Sequence, residues 1–158
     1  MKRYRLLFLC SGNTCRSPLA EAIAEDAART AGLALDVSSA GTGAVDGQPA
    51  SDGALLIALE QGLDLSLHRA RLLSRDIVTE SDLILVMSQQ HRERVVALGG
   101  GGKVHLLTAY AASSDRGEPV ADPFGGDLDG YREAFAELSE LVGRALARIR
   151  TERTSRPK

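Results

Sequence analysis

The stretch LLFLCSGNTCRSPLAEAIAED, residues 6–26, changes character twice. Leu6–Leu9 is a short unbroken apolar run, as a buried strand presents. From Leu19 onward the apolar residues Leu19, Ile23, Ala27 and Ala31 recur every four positions, as a helix requires. Ser17 reads as the N-cap of that helix, Pro18 as its first residue and Gly32 as its stop. Between strand and helix lies a loop of small and polar residues holding Cys10, Cys15 and Arg16. A loop that winds into a helix N-terminus aims several backbone amides at one point, which suits an anion.

Outward from this stretch, strand and helix signals alternate. Strand-like runs fall at Tyr4–Leu9, Leu35–Ser39, Leu83–Met87 and Val104–Leu107. Helical segments include Ala54–Leu59, ended by Gly62, then Ser74–Ser81, and a segment capped by Ser88 that reaches Leu98. The run Gly99–Gly102 interrupts the chain before the fourth strand, and Ala109–Gly126 is a long polar stretch. A last helix runs from about Asp127 to Arg150, with Leu128, Tyr131, Phe135, Leu138, Leu141, Ala145 and Ile149 facing inward. The expected fold is α/β: a three-layer sandwich whose four-stranded, parallel, twisted sheet carries helices on both faces. Residues 1–150 read as one domain, and TERTSRPK, residues 151–158, as a polar tail that frays. Ligands in such sheets bind beyond the carboxyl ends of the strands, where Cys10 stands.

Composition narrows the class. A net charge of −2 leaves no basic footprint for nucleic acid. No apolar run approaches the length of a membrane span, and Leu6–Leu9 is too short for the core of a signal peptide. Two cysteines in one loop do not make a secretory disulfide framework, so a reducing cytoplasm is the expected setting.

Within the loop, Cys10 and Arg16 stand in a C-x5-R spacing. Gly12 allows the backbone to turn without crowding, and Asn13 tolerates left-handed geometry. Arg16 offers a planar fork for two phosphate oxygens. These groups make a cradle for a tetrahedral dianion that needs no metal and no cofactor. Amides and guanidinium together favour the thiolate of Cys10, a nucleophile placed beneath a bound phosphorus. Ser17 can donate its hydroxyl to that thiolate. The Lys and second Gly of a GxxxxGK[ST] nucleotide loop are missing, and two cysteines five apart do not match structural zinc spacing. Cleavage of a phosphate ester or phosphoramidate also needs an acid for the leaving group. Asp122 in ADPFGG is the candidate, on a loop that follows the fourth strand; a lone Asp-Pro is otherwise an ordinary turn.

CSGNTCRSP together with DPFGG resembles the low-molecular-weight protein phosphatases, a family of tyrosine phosphatases, protein arginine phosphatases and related thioredoxin-coupled arsenate reductases. SSAGT, LHRAR and SDLILVMS stand in the family's order, so the likeness runs from Tyr4 to about Ile149. It implies a phosphocysteine on Cys10, with phosphoryl oxygens bound by Arg16 and by the backbone of Ser11, Gly12, Asn13, Thr14 and Cys15. It implies that Asp122 protonates the leaving group and then activates water, and that Ser17 supports the thiolate. Asn13, Ser39 and His68 resemble the family's polar network that shapes the loop; on its own, His68 would read as a surface residue at a helix start. Cys15 resembles the family's second cysteine, which can form a reversible disulfide with the nucleophile; a small buried residue is the plainer alternative. His91 and His105 match nothing in the family and read as structural.

Substrates implied by the resemblance are phosphorylated protein side chains, without nucleic acid, membrane or metal. Thr14 stands where tyrosine-directed members carry a bulky aliphatic residue, and arginine-directed members carry Thr. Phe124 stands where tyrosine-directed members commonly have Tyr, and GTGAVDGQPA holds no aromatic residue to grip a phenol ring. Asp46 and Asp122 could draw a cationic leaving group. Phosphoarginine is therefore favoured over phosphotyrosine. Arsenate reduction would need further thiols to relay a disulfide, and a binding module without turnover would need neither Cys10 nor Asp122.

Overall fold

A computed structural model of the chain describes residues 3–113 and 117–155. Four parallel strands form one sheet: β1 (Tyr4–Cys10), β2 (Leu35–Gly41), β3 (Leu83–Val86) and β4 (Val104–Leu106), in the order β2-β1-β3-β4. Six helices accompany them: α1 (Arg16–Ala31), α2 (Asp52–Glu60), α3 (Arg75–Glu80), α4 (Gln89–Ala97), α5 (Leu107–Ala112) and α6 (Leu128–Ser155).

Alternation along β1 divides the core. Leu6, Phe8 and Cys10 point to a face covered by α1, α2, α5 and α6, where Leu19, Ile57, Tyr110, Leu138 and Ile149 are buried. Leu7 and Leu9 point to the other face, against Val78 of α3 and Val95 of α4. Both faces of β1 are thus dry, which is why it is apolar without interruption. Because the chain proceeds from β1 to β2 on one side and later to β3 on the other, the strand order reverses at β1. A crevice opens there beyond the carboxyl ends of the strands.

Several boundaries differ from those read in the sequence. Helix α1 begins at Arg16, its N-cap position is Cys15, and Ser17 lies inside the first turn, so Ser17 is not the cap. Its buried stripe is Leu19, Ala20, Ile23, Ala24 and Ala28, while Ala31 is exposed. A strict four-residue repeat gains roughly 40° per step on a helix of 3.6 residues per turn and drifts off the buried face. The fourth strand ends at Leu106, and Leu107 opens α5, so part of the polar stretch is helical with Ala109 and Tyr110 buried. Helix α6 runs to Ser155, so residues 151–155 are helical rather than frayed, and residues 156–158 lie outside the described residues. The added turn is held from both sides. Tyr110 donates to Glu152 Oε2 at 3.2 Å, and the Arg153 guanidinium lies 4.6 Å from the Tyr4 ring centroid. Leu128, expected inside, is 40% exposed, and Phe135 and Leu141 are only partly buried; Ala134, Val142 and Leu146 take the inner positions.

Candidate active site

The segment from Cys10 to Arg16 curls over the end of β1, and its carbonyls are tied outward. Thr42 N donates to Cys10 O at 3.0 Å, Gly43 N to Ser11 O at 2.9 Å and Ser51 N to Thr14 O at 2.9 Å. Leu19 N donates to Cys15 O at 3.1 Å, and His68 Nε2 to Asn13 O at 2.7 Å. With the acceptors facing out, the peptide units turn their N–H groups toward the centre. Among the described residues, no backbone carbonyl accepts from the amides of Ser11, Gly12, Asn13, Thr14 or Cys15. The approach of β2 is close: a Cβ on Gly41 would stand 2.5 Å from Ser11 O and 2.9 Å from Asn13 N, so only glycine fits there.

Asn13 holds the turn. Its φ is 57°, in the left-handed region that Asn tolerates better than most residues. Its Nδ2 donates to Ser17 Oγ at 2.8 Å and Ser39 Oγ at 2.9 Å, and its Oδ1 accepts from Arg71 N at 3.0 Å. Ser39 Oγ in turn donates to Glu21 Oε1 at 2.5 Å. Burial raises the Glu21 pKa, against the Ser39 bond. Burial lowers that of His68, against its bond to Asn13, which keeps the ring a single-proton donor near neutrality. Asn13 is thus bonded to Ser39 and His68, the two residues grouped with it in the sequence, and also to Ser17.

Cys10 is 3% exposed, and its Sγ lies 2.8 Å from Ser17 Oγ. Ser17 Oγ already accepts from Asn13, so its single proton has two destinations: Cys10 Sγ at 2.8 Å or Ala40 O at 3.4 Å. The shorter contact is to sulfur.

Arg16 is 7% exposed and reaches across the crevice. Its Nη1 donates to Val120 O at 3.0 Å, and its Nη2 lies 3.5 Å from Asp122 Oδ2. Val120 is itself pinned, donating to Met87 O at 2.9 Å, so the DPFGG segment is carried to the rim of the loop. Asp122 Oδ1 accepts from Phe124 N at 3.0 Å, the local turn expected of an Asp-Pro pair, which leaves the half-exposed carboxylate beside the arginine. A cavity of 280 Å³ is lined by Cys10, Ser11, Gly12, Thr14, Cys15, Arg16, Gln48, Asp122 and Phe124.

One expectation is not met. Asp46 is absent from the lining, and its Oδ1 accepts from Leu72 N at 2.7 Å, so its charge serves the loop beside β2. Cys10 and Cys15 are free thiols. Cys15 Sγ instead contacts Ser51 Oγ at 3.2 Å and Tyr131 Oη at 3.4 Å, and burial followed by the Cys15 bond pushes the Tyr131 pKa up to about 12. Gln48 lines the cavity and His91 contacts Ser11 from behind it, neither of which the sequence disclosed. Gln48 lies in the loop noted for lacking aromatics, whereas His91 carries no local signal and meets Ser11 only through the fold.

A cysteine sulfur, a guanidinium, converging amides and a carboxylate around one small cavity have the chemistry to bind a phosphoryl group and transfer it. Residues 5–155 match the family model described as low molecular weight phosphotyrosine protein phosphatase. A low molecular weight protein-tyrosine-phosphatase PtpB of Staphylococcus haemolyticus is 36% identical over 143 residues, covering 89% of this chain and 96% of that one. A protein-arginine-phosphatase of Geobacillus stearothermophilus is 34% identical over 149 residues, covering 94% and 98%. Among solved structures, a YwlE arginine phosphatase mutant with a phosphorylated active site serine superposes with a TM-score of 0.87 at 33% identity, covering 95% of this chain and 98% of that one. This chain is a member of the low molecular weight phosphotyrosine protein phosphatase family.

Proposed function

We propose that this protein dephosphorylates protein side chains through a phosphocysteine at Cys10, with phosphoarginine its preferred substrate. The observation that carries the reading is the single cavity shared by Cys10, Arg16 and Asp122, with Ser17 Oγ 2.8 Å behind the sulfur. In the first step Cys10 Sγ attacks phosphorus, and the P–N bond of phosphoarginine (or the P–O bond of phosphotyrosine) breaks. Asp122 gives its proton to the departing atom. In the second step the Asp122 carboxylate takes a proton from water, whose oxygen attacks phosphorus and releases inorganic phosphate and the thiolate. Arg16 and the amides from Ser11 to Cys15 neutralise charge on the phosphoryl oxygens throughout. Ser17 steadies the thiolate each time it is regenerated. The YwlE structure with its phosphorylated serine supports a covalent route.

Thr14 supports the arginine preference. It lines the cavity, where its hydroxyl can accept from a guanidinium and where no aliphatic side chain packs on a ring. Among the described residues, the only aromatic in the lining is Phe124, 68% exposed on the DPFGG side. A phosphotyrosine preference is the second reading, favoured by the similarity to PtpB. Kinetics on matched phosphoarginine and phosphotyrosine peptides, with EDTA present, test both. A higher kcat/KM on phosphoarginine is expected. A higher value on phosphotyrosine reverses the preference, and no hydrolysis of either removes the activity.

A further inference from the structure

A chain of three side chains runs from helix α4 to the loop. Ser88 Oγ lies 3.0 Å from His91 Nδ1, and His91 Nε2 lies 2.9 Å from Ser11 Oγ. His91 is 3% exposed, and Ser11 lines the cavity. Ser88 occupies the N-cap position of α4 with extended backbone (φ −155°, ψ 167°), yet its side chain caps no amide of the helix. A serine there ordinarily gives its oxygen to the first turn. This one is spent on the imidazole, so the helix forgoes its cap and the ring gains a fixed orientation.

The same turn grips the site at two further points. Met87 N donates to Leu9 O at 3.2 Å, at the end of β1, and Met87 O accepts from Val120, which in turn accepts from Arg16. Burial first, and then the Arg16 charge, push the His91 pKa down to about 4, with Asp122 opposing. The ring is therefore neutral in ordinary buffers, with one N–H and one lone pair. Ser88 can donate to Nδ1 while Nε2–H donates to Ser11 Oγ, which leaves the Ser11 proton free for an acceptor in the cavity.

We propose that His91 is a positioning residue for phosphoryl binding: held by Ser88, it orients Ser11 so that the hydroxyl and amide of Ser11 both face the phosphoryl group. The inference rests on the reading of this cavity as a phosphoryl site.

The test measures inorganic phosphate and vanadate affinity by titration calorimetry, alongside kcat and KM for an aryl phosphate. The variants are His91→Leu, His91→Gln, Ser11→Ala and the double variant His91→Leu/Ser11→Ala. His91→Leu should weaken anion binding and raise KM by about tenfold, as loss of a hydrogen bond to a charged group does, with a smaller change in kcat. His91→Gln, whose amide can reach the place of Nε2, should stay within about threefold of the unmodified chain. Ser11→Ala should reproduce the loss, and His91→Leu should add nothing to it. Unchanged anion affinity in His91→Leu, or losses that add in the double variant, would overturn the proposal. Should His91→Leu fail to fold, Ser11→Ala with normal anion affinity overturns it equally. Anion binding without hydrolysis in the unmodified chain would remove the phosphatase reading and leave this inference standing.

Discussion

Cys10 Sγ and Ser17 Oγ lie 2.8 Å apart, although one ends a strand and the other sits in the first turn of the helix that follows. Asn13 donates to Ser17 Oγ, whose own proton can go to the sulfur or, at the longer distance of 3.4 Å, to Ala40 O. Ser17→Ala should remove a charge-assisted hydrogen bond from the thiolate and slow both turnover and alkylation of Cys10 by iodoacetate, by roughly 10–10²-fold. Stopped-flow alkylation at pH 7 checks it; an unchanged rate would show that Ser17 does not stabilise the nucleophile.

Asp122 has one oxygen near Arg16 and the other engaged by Phe124 N, so a neutral amide keeps its turn while losing its proton chemistry. Asp122→Asn is expected to lower kcat by roughly 10²–10⁴-fold and leave vanadate affinity nearly unchanged. Burst kinetics on an aryl phosphate would separate the two steps, since such a leaving group needs less protonation than the second attack needs a base. A near-normal steady-state rate would remove Asp122 from the mechanism.

Thr14 bears on substrate choice. It is 9% exposed and lines the cavity, with its Oγ1 3.8 Å from Cys15 Sγ. Thr14→Ile removes a hydroxyl and adds a surface for a ring. The ratio of kcat/KM on phosphoarginine to that on phosphotyrosine should fall by about tenfold or more, since a lost polar contact and a gained apolar one act in the same direction. Matched phosphopeptides provide the measurement, and a constant ratio would acquit Thr14.

Acid stability follows from His91. Its folded pKa of about 4 lies below the ordinary 6.5, so the unfolded chain takes up the proton first. Stability is therefore complete above pH 6.5 and is lost as pH falls toward 4, by up to about 1.4 kcal/mol per pH unit. Glu21 acts in the opposite sense, because burial raises its pKa and the folded state gains protons. The difference between the unmodified chain and His91→Gln isolates the histidine. Thermal unfolding at pH 7 and pH 4.5 should show the larger drop in the unmodified chain, and equal drops would mean that His91 already carries its proton.

What the sequence disclosed and what it hid divide along physical lines. The parallel sheet was legible because β1 is dry on both faces and therefore apolar throughout, and the loop because Cys10, Gly12, Asn13 and Arg16 lie within one turn of chain. Features that depend on distant contact were not. His91 meets Ser11 across 80 positions, and Cys15 meets Tyr131 across 116. Ser17 has the composition of a cap, yet its hydroxyl contacts the sulfur and the helix starts two residues before Pro18, at Arg16. The last turn of α6 consists of polar residues that read as a tail, because the partners at Tyr110 and Tyr4 are far away in sequence.

The outward carbonyl ties make anion affinity a property that cannot be carried off in a fragment. A synthetic peptide of residues 6–26 would hold the whole loop, yet of the donors Leu19, Thr42, Gly43, Ser51 and His68 it would keep only Leu19. Its amides would wander among many arrangements and prefer water to phosphate. Transplanting the recognition element to another scaffold means transplanting the end of β2, the start of α2 and the histidine before Arg69 along with it.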